Sequence, residues 1–146
     1  MPYLFDSNTY LRLAQKTSPQ RQTVLDAVRK LRANNELIQY TPQVLAEFWN
    51  VCTRPETARG GLGLSIEQTE RRVNLIEKHF KLLPDNLATF NTWRRLVSDY
   101  RIIGVQVHDA KLVASMIAHN VQNLVTFNEK DFQRFPMITV INPKDI

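Results

Sequence analysis

The chain holds a single cysteine, Cys52, so no intrachain disulfide can form and nothing calls for an oxidising compartment. Cys52 reads as a small core residue. No run of about 18 apolar residues occurs, and no basic segment followed by a long apolar stretch opens the sequence. Membrane spanning and secretion are therefore unsupported, and a cytoplasmic protein is the expectation. The three histidines, His79, His108 and His119, have no ligand spacing with one another or with Cys52, which argues against a zinc site. Glycine is sparse, and the "GGLG" at Gly60–Gly63 lacks a following Lys and does not open a helix after a strand, so it is no phosphate-cradling loop. Acids are outnumbered too: fourteen Asp and Glu face nineteen Lys and Arg, giving a net charge of +5 and a pI near 9.6. That balance favours an anionic partner such as nucleic acid.

What is present fits one globular domain spanning 1–146, with 43% hydrophobic residues to fill a core. Short apolar runs alternate with long helix-period segments, the pattern of an α/β domain with a largely parallel sheet. The expected strands are Tyr3–Phe5, Leu37–Tyr40, Leu124–Phe127 and Ile138–Ile141, with a further short strand around Ile102–Val107. Ser18 before Pro19 and Thr41 before Pro42 each place a capping hydroxyl ahead of a proline that needs no donor. Ser65 with Gln68 adds a capping box. These signals predict helices near Pro19–Asn34, Pro42–Thr53, Ile66–Phe80, Leu87–Tyr100 and Asp109–Asn120. Thr53–Ser65, with one Pro and three Gly, reads as a loop; it is either a plain connection or an Arg-bearing substrate loop through Arg54 and Arg59. Trp49 and Trp93 fall on helices and read as core or interface residues.

Sites in open α/β sheets lie beyond the carboxyl ends of the strands. Asp6 follows the first strand at once, and Asn128 and Asp131 follow the strand Leu124–Phe127, so all three face the same edge. Any one of them alone could simply cap the next helix, and for a lone Asp in that place capping is the favoured role. Glu47 borders the apolar stripe of Val44, Phe48, Val51 and Cys52, roughly 60° from Val44 at 100° per residue. There it either reaches past the core to water, pairs with an Arg, or serves a site. Asp109 opens the helix "DAKLVASMIAHN", where the dipole and unpaired backbone donors favour an acid in any case. Brought into one cleft, Asp6, Glu47, Asp109 and Asp131 would repel unless protonated or neutralised. With few histidines nearby, the natural neutraliser is a hard divalent ion, Mg²⁺ or Mn²⁺, and the chemistry such a set suits is metal-assisted phosphodiester hydrolysis.

Four stretches, "LFDSN", "VLAEFWNVCTRP", "GVQVHDAKLVA" and "LVTFNEKDFQRF", resemble in order and spacing the motifs of PIN-domain ribonucleases, especially the VapC-type toxins of bacterial toxin–antitoxin pairs. The likeness runs from about Tyr3 to Phe135. It implies a three-layer α/β/α domain with a central, mainly parallel sheet, an acidic Mg²⁺ or Mn²⁺ pocket, and endonucleolytic cutting of RNA that leaves 5′-phosphate and 3′-hydroxyl ends. Carried over residue by residue, Asp6 matches the family's first aspartate, Glu47 its glutamate and Asp109 its third acid. Asn8 matches a polar residue two places after the first Asp. Asn128 stands where many relatives carry Asp, with Asp131 supplying the missing charge, and Thr126 resembles a supporting hydroxyl. Lys111, Arg54 and Arg59 are the candidate RNA-backbone contacts. Relatives commonly form homodimers and are silenced by an antitoxin protein.

Two other readings compete. "DSNT" at Asp6–Thr9 resembles the Asp-x-Asp-x-Thr opening of haloacid-dehalogenase phosphatases, with Asp6 as the nucleophile. The second Asp of that motif is Asn8 here, and no paired acids follow late in the chain, which counts against it. A non-catalytic RNA-binding module on the same fold is the other, kept open by Asn128.

Overall fold

In the computed structural model, which describes residues 1–146, five strands form one sheet: β1 (Pro2–Phe5), β2 (Leu37–Tyr40), β3 (Lys81–Leu82), β4 (Asn123–Val125) and β5 (Thr139–Ile141). Six helices accompany them: α1 (Ser7–Ala14), α2 (Arg21–Ala33), α3 (Pro42–Thr53), α4 (Ile66–His79), α5 (Leu87–Asp99) and α6 (Gln106–Ala118). Every strand pair is parallel and the spatial order is β3-β2-β1-β4-β5. Central strands covered on both faces favour apolar side chains, which is why Tyr3–Phe5 of β1 and Leu124–Val125 of β4 read as apolar runs. Leu4, Phe5, Leu124 and Val125 are fully buried in the core they share with Val44, Phe48, Val113 and Met116.

The order reverses at β1. The chain steps outward from β1 to β2 and β3, then crosses back to β4 and β5 on the other side. Right-handed crossovers put the helices of the two halves on opposite faces, giving three layers. The crevice such a reversal leaves beyond the carboxyl ends of β1 and β4 is where the fold leaves room for a ligand.

Local chemistry sets most boundaries. Thr41 accepts from the Val44 N–H at the start of α3, ahead of Pro42, and Ser65 with Gln68 makes the full capping box of α4. Elsewhere the sequence misleads. No strand forms at Ile102–Val107: Gly104 takes φ +60, Ile103 and Val105 are almost wholly exposed, and turn bonds from Val107 and His108 start α6 at Gln106. The β-branched alternation there marks a turn and the first turn of a helix, and α6 begins three residues before Asp109. The fifth strand is instead the two-residue β3, at the sheet edge beside β2, with both residues exposed. The Ser18 hydroxyl accepts from Gln20 within a turn, so α2 starts at Arg21 without a side-chain cap. Helix α1 was not expected, and Asp6 caps it.

Candidate active site

Asp6 leaves β1 and is 6% exposed. Its Oδ1 accepts from the Thr9 backbone N–H (2.9 Å) and the Thr9 hydroxyl (2.7 Å), and its Oδ2 accepts from the Thr126 hydroxyl beyond β4. The capping role is therefore real, and it uses one oxygen of a carboxylate whose other oxygen is pinned across the switch point. Burial pushes this carboxyl above the usual carboxylate range, against the hydroxyl and backbone bonds that pull it down, and the Glu47 charge adds to the rise. Thr126 also accepts from the Asn128 N–H at 2.9 Å, tying Asp6 to the loop after β4.

Glu47 comes from the α3 border face and is held at both oxygens. Ser7 Oγ on α1 donates to Oε2 at 2.8 Å, and Gln43 Nε2, one turn earlier on α3, donates to Oε1 at 3.0 Å. Gln43 is a site residue that sequence reading missed. Its position four residues before Glu47, on the same helix face, was the available signal.

Asp109 lies in the first turn of α6 and is half-buried. Desolvation, then the charges of Asp131, Glu47 and Asp6, push its carboxyl up to about 6, with His108 opposing. The exposed Asp131, on the 3₁₀ turn Glu129–Phe132, lines the same cavity as Asp109, and its charge weighs most of the three on the Asp109 carboxyl. The turn is fastened by Asn142 Nδ2, which donates to Glu129 Oε1 at 2.8 Å. Neither Asp109 nor Asp131 has a side-chain hydrogen bond, so both can turn.

The shifted carboxyl has a consequence for stability. An ordinary Asp titrates near 3.8 and Asp109 near 6, so within that window the folded chain keeps a proton that the unfolded chain has lost. Stability from this group falls as pH rises through the window and is fully lost above it. Without metal, Asp109→Asn should melt like the parent near about pH 4 and higher than the parent at neutral pH. Equal melting temperatures at both would contradict the clustering of charges.

Asp6, Glu47, Asp109 and Asp131, with Ser7, Asn8, Gln43 and Asn128, line one cavity of about 100 Å³. At roughly 30 Å³ per water it has room for an ion with a few waters but cannot enclose a nucleotide. No Lys, Arg or His lines it, and none of the four acids is in a salt bridge. The acids do not meet as a ready coordination cluster. Uncompensated like charges hold apart, and the donors themselves are the hard oxygens that Mg²⁺ or Mn²⁺ takes. Asp6 and Glu47 are the anchored pair, Asp109 and Asp131 the pair free to close, so the donor set fits such an ion. A larger groove of about 400 Å³, between α2 and the C-terminal residues, gathers no comparable chemistry.

The basic candidates lie elsewhere. Lys111 pairs with Asp85 at 3.3 Å, and the Arg54 guanidinium donates to the Arg59 carbonyl. None of the three lines the cavity. The loop that carries Arg54 and Arg59 is closed by backbone bonds, from the Leu62 N–H to the Val51 carbonyl and from the Leu64 N–H to the Cys52 carbonyl, and at Gly61 a Cβ would meet the Pro55 carbonyl at 2.2 Å. Trp93 donates to the Val107 carbonyl at 2.9 Å, and Cys52 is an inert core thiol pushed up to about 11 by burial.

A parallel, doubly wound sheet with a cavity of acids at its switch point defines a small three-layer α/β/α domain whose carboxylates meet at the ligand crevice. The chain belongs to the PIN domain family, whose sequence profile matches residues 3–137. Solved structures share the fold over nearly the whole length. One is VapBC2 from Rickettsia felis bound to a DNA fragment from its promoter, at 21% identity, covering 97% of this chain and 98% of that one, with TM-score 0.73. Another is VapBC-1 from nontypeable Haemophilus influenzae, at 20% identity and 98% coverage of both chains, also 0.73. A third is Mycobacterium tuberculosis VapC20, a Sarcin-Ricin loop cleaving toxin, at 15% identity, 91% and 95% coverage, and 0.64. No curated protein sequence matches.

Proposed function

We propose that the chain is a Mg²⁺- or Mn²⁺-dependent endoribonuclease of the VapC type, the toxin of a cytoplasmic toxin–antitoxin pair. The observation that carries this reading is the cavity: four carboxylates from four separate segments gather there without one cationic side chain, in a chain of net charge +5. Such an arrangement is costly without a cation and useful with one. When bound, the ion would neutralise charge on a phosphate oxygen and acidify a water for attack on phosphorus. Asp6 and Glu47 are the fixed ligands in this reading, oriented by Thr9, Thr126, Ser7 and Gln43. Asp109 and Asp131, neither held by a side-chain hydrogen bond, would complete the set. The small cavity leaves the RNA outside, with only the phosphate at its mouth, and the basic surface, Arg54 and Arg59 included, draws the backbone towards it.

Asp131 rather than Asn128 supplies the fourth charge. Asp131→Asn should lower cleavage at least about tenfold, the scale of losing a supporting partner at a metal site, with Asn128→Ala close to the parent. The reverse ranking would give Asn128 the role. An antitoxin partner is supported by the toxin–antitoxin complexes among the similar folds. The exposed Leu87, Phe90, Ile103 and Val105 supply apolar surface for a homodimer.

The test is incubation of purified protein with total RNA and a tRNA pool, with Mn²⁺ or with EDTA. Fragments that appear only with the ion support the nuclease. Intact RNA in every lane together with tight binding would favour the non-catalytic RNA-binding module, which the unconverged acids and the exposed Asn128 keep as the second reading.

A further inference from the structure

Gln43 uses its amide nitrogen twice. Nε2 donates to Glu47 Oε1 at 3.0 Å and to the backbone carbonyl of His108, the residue before Asp109, at 2.8 Å. Its Oε1 is shielded from solvent and has no partner. The opposite amide orientation is ruled out by charge, since it would aim the oxygen at a carboxylate and a carbonyl together. A buried acceptor without a partner is a net cost to folding, and an apolar side chain of the same shape would avoid it. A residue selected only for packing would not keep that arrangement, so the two donated bonds are what the position provides.

Their placement says what they do. Helices α3 and α6 pack little against each other, and they approach across the carboxyl edge of the sheet from opposite layers. The Gln43 amide is a direct strut between them at the cavity. One end holds the carboxylate of Glu47, whose other oxygen is taken by Ser7. The other end holds the first turn of α6 beside Asp109.

We infer that Gln43 is a positioning residue, its amide nitrogen fixing the gap between Glu47 and Asp109 across which the divalent ion is held. This rests on the metal-dependent reading of the cavity. It gives a cavity-lining residue a role that acts through Glu47.

Mn²⁺ affinity measured by calorimetry on the full chain tests it, together with metal-free melting and steady-state RNA cleavage. Gln43→Leu should bind Mn²⁺ about tenfold more weakly, the scale of losing an outer partner of a metal ligand. Its metal-free melting temperature should not fall, and cleavage should lose kcat with KM for RNA little changed. In a Glu47→Gln background the same substitution should add almost nothing, because its route is already cut. Gln43→Met serves as the second variant should Gln43→Leu fold poorly. Parental Mn²⁺ affinity in either folded variant, or losses that add in the Glu47→Gln background, would overturn the role. So would a fall in metal-free melting temperature in both variants that accounts for the weakened binding. If Glu47→Gln alone binds Mn²⁺ as the parent does, the reading of the cavity as a metal site fails instead, whatever Gln43 does.

Discussion

Asp109→Asn should lower RNA cleavage at least about a hundredfold while RNA binding survives, because a preorganised charge at a reacting centre is worth about that much. The amide keeps the shape of the half-buried side chain and its place in the first turn of α6, so packing is not at stake. In the proposed reading it removes one of the negative charges that would hold the cation, at a carboxyl raised by burial and then by the neighbouring acids. RNA affinity comes from a different source, the summed positive field of a +5 chain, and losing an acid strengthens that field slightly. Cleavage of labelled RNA and fluorescence-polarisation binding, run side by side, separate the two. Parallel loss of binding and cleavage would mean that Asp109 contacts the RNA or supports the fold.

Asp6 should behave differently, since it is the acid most built into the structure. Asp6→Ala removes the cap of α1 and leaves the buried Thr126 hydroxyl and the buried Thr9 backbone donor without their acceptor. Asp6→Asn keeps the acceptor for Thr9 and the volume. Both substitutions relieve the desolvation that raises the Asp6 carboxyl, so comparing them isolates the lost hydrogen bonds. Asp6→Ala should be less stable than Asp6→Asn by about 2 kcal/mol, a cap plus one unmet buried donor. Urea denaturation without metal reads the difference, and neither variant should cleave RNA. Equal stability would show that water replaces the carboxylate in the switch-point crevice.

How far the sequence led depended on the range of the interaction. Caps act over three residues, and Thr41 and Ser65 placed their helices correctly. The apolar runs of β1 and β4 could be read because burial on both faces leaves little else at those positions. The turn at Ile102–Val107 imitated a strand because β-branched residues at an exposed helix start carry no local mark of exposure. Helix α1 is only eight residues long, too short for its periodicity to stand out, while position alone favours Asp6 as a cap and the resemblance makes it a ligand. It proves to be a cap, and its second oxygen is turned to a residue 120 positions away. The motif acids could be lined up by resemblance, and the cavity collects all four of them. That Lys111 answers to Asp85, and that Gln43 spans from Glu47 to the His108 carbonyl, depends on contacts between distant segments that no spacing rule displays.

The chemistry of the cut ends tests the proposed reaction most directly. Attack on phosphorus by a water that the held divalent ion would acidify, with the 3′-oxygen as the leaving group, would give a 5′-phosphate and a 3′-hydroxyl, whereas attack by the RNA's own 2′-hydroxyl, with the 5′-oxygen leaving, gives a 5′-hydroxyl and a cyclic phosphate. Fragments made in Mn²⁺ should therefore ligate through their 5′-phosphates without prior kinase treatment. Fragments that ligate only after phosphorylation, or that form equally well in EDTA, would contradict a metal-assisted hydrolysis at Asp6, Glu47, Asp109 and Asp131.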